Sequence, residues 1–439
     1  MILFLLIVSL FGILLIEYIS FKRDVANPVI LFTLGFFVAA LILSCFMRQW
    51  NVDLHRTSFY VVVLGNIGFF LGAYGCFKLW RNKVCYVDVT YRLPKLVSLK
   101  GLIFLFCIQV VVYLLRIYLL KRFYGGDLSS ALLAHTMAIK FGTETAFKMP
   151  FGTSFFYGMA GLVGYVCAFL LPTYMMCKHV PFQHKFWLWA NFILCLVGSL
   201  LSSGRTAMLW MIISFVSFYI IALNLRRIKV NLRVALKWFL VAFIFLFSFQ
   251  QLGAVIGRDE SDLKWFNEVG VYCGAELQNL DDFIEEPKFQ NSDNLFGLLT
   301  FRGFYENYGA LFGVNQLRTD RRDYHKFNAR NGISLGNVNT ALQHYWYDFG
   351  IIGTFVICLF MGLFLEYIYV QVYRSKKFWD KGCISPCLFV YSVMAPTAFM
   401  SFFSEAFFDK IVCLLDFRFW VTFVLIYVIL QKNIVKTSH

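Results

Sequence analysis

Apolar runs of nearly twenty residues recur along this chain and limit its fold more than any other sequence feature. About 20 helical residues are needed to cross the hydrocarbon core of a bilayer. The mean hydropathy of +0.67 and the 59% hydrophobic content lie far above the values of soluble domains. We therefore predict an all-α, polytopic helical membrane protein, because a helix satisfies its own backbone hydrogen bonds within lipid.

The runs predict about eleven membrane spans. These spans cover residues 2–20, 29–46, 58–79, 101–120, 151–177, 186–201, 206–223, 238–256, 350–372, 383–403 and 411–430. The first span has no basic region before it and no Ala-x-Ala site, so we expect a retained helix instead of a cleaved signal. The chain then divides into an N-terminal bundle of about eight helices (1–256), a polar segment with short amphipathic helices (257–349) and a C-terminal bundle of about three helices (350–439).

Lys and Arg are concentrated in alternate connections, and this sets the expected orientation. Cytoplasmic connections of membrane proteins are enriched in these residues. The enriched connections are the C-terminal tail and those at 21–28, 78–100, 178–185, 224–237 and 373–382. We therefore expect the N-terminus and the polar segment outside and the C-terminus in the cytoplasm. The net charge of +15 is spread over these connections, which does not favour nucleic-acid binding.

No sequence pattern indicates a metal or a cofactor. The chain has 12 cysteines, and nearly all fall in or beside apolar runs, where cysteine fills space as a small apolar residue. The sequence lacks a Cys-x-x-Cys pair, a His-Glu-x-x-His helix, a Gly-rich phosphate loop and a Gly-x-Ser-x-Gly nucleophile motif. We therefore expect no metal and no cofactor.

The polar segment separates into an acidic part and a basic part. Among the charged residues, those at 257–300 are mostly Asp and Glu, whereas those at 301–330 are mostly Arg. A guanidinium group forks to two oxygens and is suited to phosphate, so Arg258, Arg302 and Arg330 are candidate ligands for a diphosphate. The alternative is that these arginines are only solvated.

Two more arginines stand at the ends of predicted spans. Arg205 lies in Ser202-Ser-Gly-Arg-Thr206, where the glycine lets a backbone N–H approach the same anion. Arg116 lies about one turn inside the fourth span, where it would reach a lipid headgroup. Both are candidate diphosphate ligands, and the alternative for Arg205 is an arginine that only reaches the headgroups.

His344 and Asp348 are four residues apart, directly before a predicted span. This spacing places them on one face if the segment is helical. A carboxylate orients and polarises a neighbouring imidazole, so the pair is a candidate catalytic base for a sugar hydroxyl. The alternative is structural: His344 would pack at the start of the helix, and Asp348 would neutralise the positive helix end.

Several short motifs, taken in order, carry a resemblance to a known family. The motifs are Gly125-Gly126, Ser202-Ser-Gly-Arg-Thr206, the stretch from Val271 to Asp281, and Asn339-Thr340 followed by Asp348-Phe-Gly-Ile-Ile-Gly353. Their order and their position between spans resemble the Wzy-type O-antigen (oligosaccharide repeat unit) polymerases. The related O-antigen ligases usually carry a His-Asn pair where this chain has Asn339-Thr340.

The resemblance implies a glycosyltransferase at the outer face of the bacterial inner (cytoplasmic) membrane. A growing glycan on undecaprenyl diphosphate would move to the terminal hydroxyl of a new lipid-linked repeat unit. The expected partners are these two substrates, membrane lipid and a chain-length regulator, and Asn339 and Tyr305 are candidate contacts for sugar. The alternatives are a flippase for lipid-linked oligosaccharide, an O-antigen ligase and, third, a non-catalytic membrane scaffold.

Overall fold

Almost all regular structure in the described part of the chain is helical. The computed structural model describes residues 1–80, 96–141, 147–177, 179–202, 206–225, 265–287, 289–324, 328–375, 379 and 384–431. Its helices are α1 (Ile2–Ser20), α2 (Pro28–Cys45), α3 (Arg56–Trp80), α4 (Leu99–Tyr124), α5 (Leu128–Phe141), α6 (Phe151–Met176), α7 (Phe182–Ser199), α8 (Thr206–Leu225), α9 (Trp265–Cys273), α10 (Ala275–Glu285), α11 (Arg302–Tyr308), α12 (Arg321–Tyr324), α13 (Ala341–Arg374), α14 (Pro386–Met400), α15 (Phe407–Leu415) and α16 (Phe417–Gln431). Two 3-10 turns, Leu200–Ser202 and Gly309–Phe312, and an antiparallel hairpin of β1 (Asn328–Arg330) and β2 (Ile333–Gly336) complete this part.

Seven of these helices are long and apolar enough to cross a membrane. They are α1, α2, α3, α4, α6, α8 and α13, and the number rises to eight if α15 and α16 together form one span. The prediction of an all-α polytopic membrane protein is confirmed. Of the other predicted spans, 186–201 and 383–403 coincide with α7 and α14, which are not among the seven, and 238–256 lies outside the described residues.

Two predicted spans differ in detail from the structure. The run at 411–430 is divided at Asp416, because the Asp416 carboxylate accepts the Arg418 backbone N–H and caps a new helix, α16. The span predicted at 350–372 begins earlier, at Ala341, and is broken at Gly350. The φ of Gly350 is 67°, a left-handed value that glycine adopts without steric cost.

The connections also contain structure beyond the predictions. The predicted loop at 121–150 contains α5, and the polar segment contains α9, α10 and α11, where short amphipathic helices were expected. The hairpin of β1 and β2 was not predicted. Its two-residue turn is Asn331-Gly332, and both residues have positive φ, as a type I′ turn requires.

The chain forms two compact units, each built from separate stretches of sequence. The first contains the described parts of Met1–Val84, Leu263–Gln371 and Thr397–Leu415. The second contains the described parts of Cys85–Asp262, Val372–Pro396 and Asp416–His439. The predicted boundaries near 256 and 350 divide the chain by sequence, whereas each unit combines segments that are distant in sequence.

Capping residues fix the start of one helix in each unit. The Asn27 side chain accepts the Val29 N–H, and Pro28 takes the first position of α2, where a backbone N–H is not needed. Ser98 accepts the Gly101 N–H in the same way at the start of α4. Each cap satisfies an orphan donor of the first helical turn, so the helix begins at a defined residue.

Helices α3 and α13 of the first unit pack backbone against backbone through glycines. A Cβ built on Gly72 would lie 1.9 Å from the Leu359 carbonyl oxygen, and one on Gly362 would lie 2.1 Å from the Phe69 carbonyl oxygen. Small residues allow this approach in lipid, where helices associate through close packing. The N-terminal part of the chain is thereby held against the helix that leads out of the polar segment.

We expect Gly72→Ala to destabilise the protein by about 1–3 kcal/mol, because the added methyl group meets a carbonyl that cannot move without displacing α13. Thermal unfolding of the purified protein in detergent measures the effect. Gly75→Ala is the matched control on the same helix, since no atom lies within 4 Å of its Cβ position. Equal melting temperatures for the two variants would contradict the packing.

Candidate functional site

The first unit carries its polar groups where α10, α12 and the hairpin meet the first turns of α13. A small aromatic and aliphatic core holds these short elements together. Its buried members are Phe283, Phe289, Leu298, Leu299 and Tyr324. The short helices lack the length to be stable alone, so this core fixes the positions of the polar side chains around it.

A small pocket opens at this junction, and oxygen-bearing side chains dominate its lining. Carboxylates, amides and two aromatic rings line it: Asp282, Phe283, Glu286, Asp323, Tyr324, Asn328, Asn339 and Gln343. Gln343 is 1% exposed, and its Oε1 has no hydrogen-bond partner among the described residues. Since a buried amide oxygen is costly to leave unpaired, Gln343 provides an unused acceptor at the pocket wall.

Arg330 lies beside the pocket and is paired with an acid. Its Nη2 lies 2.6 Å from Asp282 Oδ1, and its Nη1 donates to the Asn51 carbonyl oxygen at 3.0 Å. The structure therefore uses this predicted diphosphate ligand to join the hairpin to α10 and to the connection before α3.

Arg302 is buried, and its guanidinium is fixed on several sides. Nε donates to Glu306 Oε1 at 2.6 Å, Nη2 donates to the Thr319 carbonyl oxygen at 3.0 Å, and the group lies 5.5 Å from the Tyr324 ring centroid. Nη1 has no hydrogen-bond partner among the described residues. This N–H group of Arg302 is therefore a buried donor that no described residue satisfies.

Glu306 joins Arg302 to a second arginine. Arg321 donates to both Glu306 oxygens and lies 3.9 Å from Asp409 on α15. Burial alone would raise the pKa of Glu306, but the hydrogen bonds and charges of Arg321 and Arg302 outweigh burial and hold this pKa below its ordinary value. Arg302 and Arg321 are therefore both paired with an acid of their own unit.

His344 and Asp348 lie on the first turns of α13, so the helical condition for the candidate pair is met, but the two side chains have different surroundings. The Asp348 carboxylate accepts the backbone N–H groups of Thr300 at 2.7 Å and of Leu299 at 3.4 Å. His344 is buried, and its ring packs edge-on against Tyr324 with centroids 5.5 Å apart. Asp348 therefore anchors the turn before α11, and His344 lies behind the aromatic wall of the pocket.

The two predicted sugar contacts also have defined places. Asn339 lines the pocket, and its Nδ2 lies 3.4 Å from the Tyr324 carbonyl oxygen. Tyr305 donates its hydroxyl to the Phe296 carbonyl oxygen at 2.7 Å and packs beside the aromatic core. Of the two, only Asn339 reaches the pocket.

Arg116 belongs to the second unit and is buried there. Its Nε and Nη2 donate to the Leu201 carbonyl oxygen at 2.9 and 2.7 Å, and its guanidinium lies 4.2 Å from the Tyr157 ring centroid. Nη2 also lies 3.3 Å from His135 Nε2, and burial together with the charge of Arg116 lowers the pKa of His135 to about 4. A neutral imidazole is thereby kept beside the guanidinium.

Two candidate diphosphate ligands, Arg205 and Arg258, lie outside the described residues. The carbonyl oxygen of Leu201 accepts from Arg116, and Arg205 follows Leu201 by four positions in the sequence. Over the described ranges, no group of three or more His, Cys, Asp or Glu side chains is placed to hold a metal ion.

The structure also shows a histidine–aspartate pair that sequence analysis missed. His55 Nδ1 lies 2.9 Å from Asp281 Oδ2, although the two residues are 226 positions apart. Asp281 Oδ1 accepts the His55 backbone N–H and the Ser58 hydroxyl. Nothing in the local sequence connects these residues, and only the resemblance of the stretch ending at Asp281 drew attention to this region.

Comparison with known proteins adds no further assignment. No protein-family model, curated protein or solved structure matches this chain.

We expect Glu306→Gln to destabilise the first unit by about 1–3 kcal/mol, because two arginines lose their shared carboxylate in a half-buried setting. The effect should be full above pH 4.5, the ordinary pKa of the group, and should vanish as the pH falls through the lower folded-state pKa. Unfolding curves at several pH values measure it. Arg418→Gln is the control, because the Arg418–Asp416 pair is exposed and should contribute less than about 1 kcal/mol.

Proposed function

We propose that this protein is a membrane glycosyltransferase that polymerises lipid-linked oligosaccharide repeat units. The donor would be a growing glycan on undecaprenyl diphosphate, and the acceptor would be the terminal hydroxyl of a single lipid-linked repeat unit. The product would be an O-antigen or capsule-type polysaccharide. In this proposal the polar segment faces the outer side of the bacterial inner membrane, with the N-terminus outside and the C-terminus in the cytoplasm, in accord with the distribution of Lys and Arg.

The pocket of the first unit is the observation that best supports the proposal. Its carboxylates and amides can accept and donate hydrogen bonds to sugar hydroxyls, and Phe283 and Tyr324 offer aromatic faces for the apolar faces of a sugar ring. Acids outnumber bases in the lining, so the pocket suits a neutral hydroxylated ligand better than a phosphate. The Gln343 oxygen supplies an acceptor that no described residue uses.

The arginines support the proposal through the chemistry of the leaving group. Glycosyl transfer from a lipid diphosphate leaves negative charge on phosphate oxygens, and fixed guanidinium groups stabilise such charge. Arg302 has one buried N–H group that no described residue satisfies, and its guanidinium lies beside the pocket residue Tyr324. Within the second unit, Arg116 remains a candidate for contact with a lipid phosphate.

Transport of the lipid-linked oligosaccharide is the second candidate, and two buried acids favour it. Glu366 accepts the Asn27 side-chain N–H at 2.8 Å, and Glu17 accepts the Thr33 hydroxyl at 2.7 Å. All four residues are buried; Glu17, Thr33 and Glu366 lie on apolar helices of the first unit, and Asn27 is the N-cap of α2. Ionisable groups at such positions often serve ion or substrate pathways.

We expect Gln343→Leu to separate the two candidates in cells. A polymerase with a damaged sugar pocket should still let single repeat units reach the outer face and be attached to the acceptor lipid, but longer chains should be lost. A damaged transporter should instead leave repeat units on the cytoplasmic leaflet. A gel of the glycan ladder, with leaflet assignment of the lipid-linked units, distinguishes these results.

Gln290→Leu is the control for that substitution, because Gln290 is exposed in the same polar segment and does not line the pocket. It should leave the ladder unchanged. Accumulation of complete units on the cytoplasmic leaflet in Gln343→Leu cells would overturn the polymerase assignment in favour of transport.

We expect Arg205→Ala to abolish polymerisation while the protein still inserts in the membrane. Loss of a charge-assisted contact with a diphosphate should cost roughly 2–5 kcal/mol, and Arg205→Lys should restore little because the planar fork is lost. Glycan length and membrane abundance are measured together. Arg48→Ala, which removes an exposed arginine, serves as the control. Full-length glycan from Arg205→Ala cells would show that polymerisation does not need Arg205.

A further inference from the structure

His55 is held in a defined orientation by a buried carboxylate. Asp281 is 0% exposed, and its two oxygens bind the His55 ring at Nδ1, the His55 backbone N–H and the Ser58 hydroxyl. The His55 side chain is 43% exposed. The ring is therefore fixed on one edge and open to solvent on part of its surface.

This arrangement selects one tautomer of the ring. A carboxylate at Nδ1 requires a proton on that nitrogen, so the neutral ring carries its lone pair on Nε2. No described residue forms a hydrogen bond with Nε2. A buried Asp that orients His in this way also stabilises the imidazolium formed when Nε2 accepts a proton.

A purely structural role for Asp281 would not require the imidazole. Asp281 belongs to α10, and its carboxylate reaches the N-terminal end of α3. There it accepts the His55 backbone N–H and the Ser58 hydroxyl and meets the positive end of the helix. These bonds alone cap the helix and attach α10 to it. The third bond, to the ring, adds an orientation that capping does not need.

The pair lies beside the proposed sugar pocket. Helix α10 carries Asp281 and Glu285 on the stripe that faces His55, whereas Asp282 of α10 and Glu286, which directly follows the helix, line the pocket. Two neighbouring stripes of one helix lie within about one helix diameter, roughly 10–12 Å. A bound oligosaccharide can therefore extend from the pocket to the ring.

The groups that face His55 are acidic. They are Asp281 and Glu285 on α10 and Asp53 in the connection before α3. The hydrogen bond to Asp281 is the main cause that raises the pKa of His55 above its ordinary 6.5, and burial opposes it only in part. The ring is thereby a stronger base than an unperturbed imidazole.

We propose that His55, oriented by Asp281, is the catalytic base that activates the acceptor hydroxyl; this assignment rests on the proposed function. Nε2 takes the hydroxyl proton as the acceptor oxygen bonds to the anomeric carbon of the donor. The bond from that carbon to the diphosphate oxygen breaks, and the lipid diphosphate leaves with the electron pair. The imidazolium then releases its proton to solvent.

His55 fits this role better than His344. His344 is buried against Tyr324, whereas His55 presents a ring edge to solvent and has a carboxylate on its other edge. Asp348, the predicted partner of His344, binds the Leu299 and Thr300 backbone.

The test places the full-length protein in lipid nanodiscs. The substrate is lipid-linked repeat units isolated from a strain that lacks the gene for this protein. His55→Asn keeps a side-chain N–H for Asp281 but removes Nε2, so polymerisation should fall at least about 100-fold with little change in melting temperature. His179→Asn is the control, since His179 is exposed in the second unit. Added imidazole should restore part of the activity of His55→Ala.

The pH dependence separates a base from a structural residue. Wild-type activity should rise with pH through the folded-state pKa of His55, and Glu285→Gln should move this rise to lower pH because it removes a nearby negative charge. His179→Asn, the control in the second unit, should leave the midpoint of the rise unchanged. The assignment would be overturned if His55→Asn kept near wild-type activity. It would also be overturned if activity were lost in His344→Gln but retained in His55→Asn. Absence of polymer from the wild type would overturn the proposed function and the assignment with it.

Discussion

The hydrogen bonds of the buried Asp281 carboxylate hold the polar segment of the first unit against the start of α3. The carboxylate joins α10 to the start of α3, and Asp282 beside it binds Arg330 of the hairpin. Because α10 supplies one wall of the pocket, the placement of that wall follows from these two adjacent acids. A single dipeptide thus attaches the polar segment to an apolar helix on one side and organises a polar surface on the other.

The predictable part of this fold is the part governed by local rules. The apolar runs and the polar segment are visible in the sequence. The dipeptide Asn331-Gly332 is also a local signal, since Asn-Gly favours the type I′ turn of a two-residue hairpin. The sequence shows that an apolar run begins at Gly350. It does not show that residues 341–349 before it are helical, because long-range contacts stabilise them, such as the bonds of Asp348 to the backbone of residues 299 and 300. The division at Asp416 depends on a cap that hydropathy does not register.

The candidate site was less predictable, because its groups are assembled over long sequence distances. Residue type alone marked Arg302 and Arg330 as cations for a phosphate, but it could not show that Glu306 and Asp282 already neutralise them. A phosphate that approached these arginines would have to displace the carboxylate that is already paired with each guanidinium. The pair of His55 and Asp281 was hidden for the same reason, since 226 residues separate its members.

The break at Gly350 has a consequence for the way this protein responds to its lipid environment. The helical part of α13 after the break, residues 351–374, is about 36 Å long, whereas a typical hydrocarbon core is about 30 Å thick. A helix that is longer than the core tilts, and the tilt changes with bilayer thickness. The non-helical residue interrupts the rigid rod, so a change in tilt need not rotate residues 341–349, which are anchored to the turn at 299–300 by Asp348. The pocket geometry should therefore be nearly independent of the acyl-chain length of the surrounding lipids.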